Sequence, residues 1–85
     1  MATSKGEISH WFDAGVADGR DYMIVVCDTW DYDDYPVYAD RDEFWTVHDQ
    51  HDGKNMQTIM EVYDLRKDKR PQLAQTRVFN TPPRG

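Results

Sequence analysis

The chain has a single cysteine, Cys27, so no disulfide can form within it. Together with an N-terminus, "MATSKGEISH", that has no apolar signal-peptide core, this points to a reducing compartment. Long apolar runs are missing as well. The longest, "YMIVVC" at residues 22–27, is far short of the roughly 20 residues that span a bilayer. Positive charge is scarce: ten Lys and Arg stand against sixteen Asp and Glu, giving a net charge of −6 and a pI near 4.8. Affinity for a phosphate backbone depends on Lys and Arg displacing counterions, so direct nucleic-acid binding is disfavoured and a basic partner favoured. Glycine is sparse, and "DAGVADG" has the wrong spacing for a phosphate loop and precedes the apolar run instead of following it. These absences lead to the expectation of a soluble cytoplasmic protein with no membrane partner.

What is present suffices for one small domain. The 39% hydrophobic and 13% aromatic content of these 85 residues is too rich for a disordered chain. A domain this size buries only somewhat more than ~60% of its unfolded surface, which leaves a thin stability margin and makes a homodimer conceivable. We expect a single domain over residues 1–85, with an ordered core at about 4–79 and a loose tail at 80–85.

Ser4 and Glu7 have capping-box spacing, Ile8, Trp11, Phe12, Gly15 and Val16 recur at helical spacing, and Gly19 is placed to end the turn. This predicts a helix over about 6–18. The run Tyr22–Cys27 reads as a central strand or one covered on both faces. "PVYA" reads as a short second strand, joined to the first by an acidic hairpin loop. Asp40 and Glu43 repeat the capping-box spacing ahead of a second helix, with Phe44, Val47, His48 and His51 along one side and Gly53 as its stop. "NMQTIMEVYDL" fits both periods: Met56, Ile59, Met60 and Tyr63 have helical spacing, while "TIMEVY" is rich in strand formers. A strand over about 58–65 is preferred, because a lone hairpin needs a third strand. "RKDKRP" reads as a charged turn and "QLAQTRVF" as a further edge strand. The expected fold is α+β: a small three- to four-stranded, mainly antiparallel sheet with two helices on one face, in the order α-β-β-α-β.

The segment "CDTWDYDDYPVY" holds the chemistry. Asp28, Asp31, Asp33 and Asp34 are hard oxygen ligands, yet counting from Asp31 puts Pro36 where a calcium loop needs Gly and Asp42 where it needs Glu. His48 and His51, with Cys27, could share a soft metal, but zinc sites usually show a second close pair of ligands. No metal and no cofactor are expected, and His10 has no special role. Cys27 ends an apolar strand beside Asp28, where burial and a carboxylate oppose the thiolate that nucleophilic catalysis requires. No enzyme is expected. The remaining reading is an interface, with Asp28, Asp31, Asp33 and Asp34 as the acidic component and Trp30, Tyr32 and Tyr35 as aromatic anchors. Its bland competitor is a solvated turn with its rings folded back on the sheet.

"WFDAGVADGRDYMIVVCDTWDYDDYPVY", followed by "DGKNMQTIMEVYDL", resembles small, acidic bacteriophage-encoded proteins of no assigned activity over about residues 8–65. The resemblance implies a setting in the host cytoplasm and carries over no site residues. The leading expectation is a non-enzymatic inhibitor or interaction protein, anti-CRISPR-like or a DNA mimic. It would bind a basic host protein such as a nucleic-acid-handling defence complex. One alternative is an oligomer that sequesters a signalling nucleotide, which would need Arg20, Arg41, Lys54 or Arg66 to neutralise phosphate. A weaker alternative is a small metal-dependent enzyme.

Overall fold

Tyr22–Asp28 forms β1, the middle strand of a three-stranded antiparallel sheet in the order β2-β1-β3, with Asp33–Ala39 as β2 and Gln57–Asp64 as β3. The computed structural model describes residues 4–30, 33–53, 56–75 and 78–83. Helix α1 spans Lys5–Ala17, a 3-10 turn at Arg41–Glu43 leads into α2 at Phe44–His51, and a short α3 covers Lys69–Leu73. The α+β class and the order α-β-β-α-β are as expected.

The two longer helices do not share a face, which corrects the expected packing. Strand side chains alternate. Met23 and Val25 of β1 pack with Ile8 and Phe12 of α1, whereas Tyr22, Ile24 and Val26 pack with Phe44 of α2. Leu73 of α3 joins the α1 side. The continuous apolar run of β1 is the physical reason: Met23, Ile24, Val25 and Val26 are all 0–1% exposed, and a strand with no solvent face needs cover above and below. One helix layer could not supply it.

Local chemistry sets the ends of α1. Ser4 Oγ accepts the Glu7 N–H at 3.2 Å. At the other end Gly19 adopts φ +73°, its N–H bonds the Val16 carbonyl at 3.0 Å, and the Arg20 N–H bonds the Gly15 carbonyl at 3.1 Å. This is a Schellman ending, which relies on glycine's tolerance of the left-handed region. Val16, read as part of the apolar stripe, is half exposed. Gly15 is buried, and a Cβ there would lie 2.6 Å from Tyr38 Cε1 and 2.8 Å from Leu65 Cδ1. The absent side chain lets α1 approach the sheet, where the Tyr38 hydroxyl donates to the Trp11 carbonyl at 2.7 Å.

β3 resolves its ambiguous sequence with a bulge. Val25 faces Glu61 and Val26 faces Ile59, so Met60 is the extra residue in the ladder. Ile59 then packs on the α2 side and Met60 on the α1 side, which is why the segment mimics helical spacing.

The C-terminal part departs most from expectation. The first residues of "RKDKRP" form the expected turn, but from Lys69 the chain runs through Leu73 as α3 instead of continuing into an edge strand, with the Asp68 side chain capping the Arg70 N–H at 3.2 Å. Val78 and Asn80 then bracket Val62 in a parallel bridge: the Val62 N–H bonds the Val78 carbonyl at 2.7 Å and the Asn80 N–H bonds the Val62 carbonyl at 3.0 Å. Gln72, 3% exposed, ties the pieces together. Its amide oxygen accepts from the Asp64 N–H and from Asn80 Nδ2, both at 2.8 Å, and its Nε2 donates to the Asp64 carbonyl at 2.9 Å. Asn80, Pro82 and Pro83, placed in a loose tail by the sequence, are held here. Asn80 is bonded as described, Pro82 is buried, and the Pro83 carbonyl accepts from Trp45 Nε1 at 3.4 Å.

The tight approach at Gly15 reverses the usual effect of glycine in a helix. Gly→Ala in a helix interior normally gains up to ~1 kcal/mol, but overpacking costs ~1–3 kcal/mol. Gly15→Ala should therefore lower the melting temperature. Gly6→Ala, whose Cβ would meet only Ser4 Oγ at 3.7 Å, should hold or raise it. Equal stabilisation of both variants in thermal unfolding would refute the close contact.

Candidate functional site

The β1–β2 hairpin carries the acidic residues, and the ladder runs further into them than the sequence indicated. Cys27 pairs with Asp34 and Asp28 with Asp33, so β2 begins at Asp33 and not at Pro36. Asp33, Asp34 and Tyr35 thus belong to a strand. Pro36 sits opposite Val25 on the sheet's outer strand, where a missing backbone donor is tolerated. Asp31 and Tyr32 lie outside the described residues.

The candidate residues separate by side. Alternation puts Asp28 and Asp33 on the α2 side and Cys27 and Asp34 on the α1 side. Asp28 and Asp33 are like charges directly opposite one another, an arrangement that disfavours the ladder. Among the described residues neither makes an ion pair. Asp28 Oδ1 instead accepts the Trp30 N–H at 2.9 Å, a local bond that shapes the turn. Trp30 projects outward and is 71% exposed.

Tyr35 is folded back. Its hydroxyl accepts from Gln57 Nε2 at 2.6 Å, Gln57 Oε1 lies 2.8 Å from His51 Nδ1, and the Tyr35 and His51 rings meet edge to face at 6.5 Å. Because the Gln57 amide nitrogen donates to Tyr35, its oxygen faces His51, and Nδ1 carries the proton in this network. Burial, and secondarily the Asp28 charge, push the Tyr35 phenol above its ordinary pKa. This chain of three side chains links β2, β3 and α2, a structural task more than an exposed anchor's.

Sequence reasoning missed Met56. It is 56% exposed and takes φ +61°, in the left-handed region that costs a non-glycine residue ~1–2 kcal/mol. Its carbonyl is held by both the Thr29 N–H and the Thr29 hydroxyl, each at 2.7 Å. Met56 therefore stands at the same end of the sheet as Trp30. Only the cross-strand neighbourhood of Thr29, invisible in the linear sequence, reveals it.

The metal candidates do not converge. Among the described residues no group of three or more His, Cys, Asp or Glu side chains is placed to hold an ion. His48 Nδ1 meets Asp49 Oδ1 at 3.1 Å and its ring packs 5.0 Å from Trp45, while His51 is committed to Gln57. No helix among the described residues is long and apolar enough to cross a membrane. In comparisons with known proteins, the chain matches no family model, no curated protein and no solved structure.

Cys27 supplies a chemical check on the geometry. Burial raises its thiol pKa, and a hydrogen bond and charge repulsion from Asp34 raise it further. The thiolate is the reacting form, so a raised pKa shrinks the reactive fraction at any given pH. Alkylation by iodoacetamide should be slower than that of free cysteine, its rate curve displaced to higher pH. Asp34→Asn should shift the curve back toward lower pH; an unmoved curve would separate Asp34 from the thiol.

Proposed function

We propose that the protein is a non-enzymatic interaction protein, a phage-type inhibitor working in the host cytoplasm. Its hairpin end engages a basic surface of a host protein, and a nucleic-acid-handling defence complex, whose cleft normally holds phosphates, is the fitting target. Asp28, Asp33 and Asp34 imitate that charge, and Trp30 is the anchor. The observation that carries this reading is Trp30, 71% exposed beside a cross-strand pair of carboxylates that makes no ion pair among the described residues. Neither feature helps the domain fold. An exposed Trp buries nothing, and facing carboxylates repel. Both are assets at an interface, where Trp is a frequent hot spot and carboxylates steer association. Met56, exposed at the same end, adds apolar surface. The raised Cys27 pKa supports a binding role over nucleophilic chemistry.

The test is kinetic. A partner captured from bacterial lysate and identified by mass spectrometry is purified and its binding measured against variants. Changing Asp28, Asp33 and Asp34 together to Asn should slow association and flatten its salt dependence. Trp30→Ala should speed dissociation by more than about tenfold, equivalent to ~1.4 kcal/mol. Unchanged rates in both variants, at low and high salt, would reduce the hairpin end to a solvated turn.

A further inference from the structure

Basic side chains gather at the end of the sheet opposite the hairpin. There the start of β1, the end of β3 and the returning C-terminal segment enclose a cleft of about 310 Å³, lined by Tyr22, Arg41, Asp64, Arg66, Lys67 and residues 79–83. Three cations thus face one carboxylate in a protein whose net charge is −6. Three basic side chains elsewhere are spent on ion pairs: Lys5 with Glu61 at 3.5 Å, Arg20 with Asp40 and Glu43 at 3.1 and 3.0 Å, Lys69 with Asp13 at 2.8 Å. Among the described residues the side chains of Arg41 and Lys67 make no hydrogen bond or ion pair. The Arg41 backbone N–H donates to Asp21 at 2.9 Å, which fixes the chain and leaves the guanidinium uncommitted.

Arg66 is held in place. Its Nη2 donates to the Tyr22 hydroxyl at 2.8 Å, its Nε lies 3.4 Å from Asp64 Oδ1, and its guanidinium sits 5.2 Å above the Tyr22 ring. Asp64, the carboxylate of the cleft, is only 4% exposed and also accepts the Arg66 backbone N–H at 2.9 Å. Its charge is therefore answered locally, and Asp21, whose charge also acts on Arg66, accepts the Arg41 backbone N–H, so Arg41 and Lys67 are the basic side chains left open on the wall. The opposing wall carries Phe79, half exposed, and Pro83, together with the polar Asn80 and Thr81.

We infer that this cleft binds a nucleoside phosphate. Arg41, Arg66 and Lys67 hold the phosphate, since guanidinium and ammonium groups bind phosphate oxygens by charge-assisted hydrogen bonds. The flat base lies against the half-exposed Phe79, as bases stack on aromatic faces without demanding a particular sequence. A volume at the small end of the ~300–1,000 Å³ range of ligand pockets suits one nucleotide, not a strand. The inference is independent of the hairpin's role, because the two sites lie at opposite ends of β1.

The experiment is an amide NMR titration of the full-length protein with ADP, GDP, adenosine and pyrophosphate. ADP or GDP should shift the Arg41, Arg66, Lys67, Phe79 and Asn80 amides and leave those of Asp28–Trp30 in place. Adenosine should shift nothing, and pyrophosphate should bind more weakly than ADP. Arg41→Gln with Lys67→Gln, both exposed positions, should keep the parent's melting temperature and weaken ADP binding at least about tenfold, whereas Trp30→Ala should not. No shift with either diphosphate, shifts confined to the hairpin end, or equal ADP affinity in the double variant would overturn the site. Pyrophosphate binding as tightly as ADP would overturn its assignment to nucleosides.

Discussion

Strand β1 buries Met23, Ile24, Val25 and Val26 from both sides at once, and the rest of the molecule is arranged to make that possible. β2 and β3 satisfy its backbone on either edge, α1 and α3 cover one face, and α2 covers the other. Two thin half-cores result, each containing an edge-to-face aromatic pair: Phe12 against Tyr63 on one side, Tyr22 against Phe44 on the other. Large rings bury enough apolar area per residue to make such small clusters viable. The same economy explains Gly15, whose missing side chain brings α1 down onto Tyr38 and Leu65.

A sheet covered on both faces leaves its ends and edges as the places where function can reside. The β3 edge is partly capped by the bridge to Phe79, which limits pairing with other chains. The two ends of β1 differ sharply. One presents Asp28, Asp33 and the projecting Trp30; the other holds Arg41, Arg66 and Lys67 around a cleft. In a protein of net charge −6, the Arg41 and Lys67 side chains, which make no ion pair among the described residues, thus share one cleft.

Much of this was legible in the residues, and the reasons it stopped being legible are physical. Capping residues Ser4 and Asp40 and the stop at Gly19 act through near neighbours in sequence, so the helix bounds could be read directly. The apolar run of β1 announced cover on both faces, yet the distribution of helices between the faces depends on connection geometry that no periodicity encodes. The bulge at Met60 blurred the strand period. Gln72 and Asn80 looked like ordinary polar residues, because their partners are backbone and side-chain groups assembled only by the fold. At the site, the acidic and aromatic composition was evident, but not that Tyr35 turns inward to Gln57 while Trp30 turns outward. Arg41 and Arg66 were recognised as cations. The return of residues 78–83 that shapes a cleft around them was not.

The central claim is that the Trp30 ring and the facing charges of Asp28 and Asp33 are kept for binding and do not stabilise the fold. Equilibrium unfolding in urea of a variant carrying Asp28→Asn, Asp33→Asn and Trp30→Ala tests it directly. Asn retains the side-chain oxygen that accepts the Trp30 N–H, and the exchange removes the facing like charges. The account predicts an unfolding free energy equal to the parent's or higher by up to ~1 kcal/mol, the scale of cross-strand pair effects. A loss of more than ~2 kcal/mol would mark the hairpin end as a structural element and contradict the account.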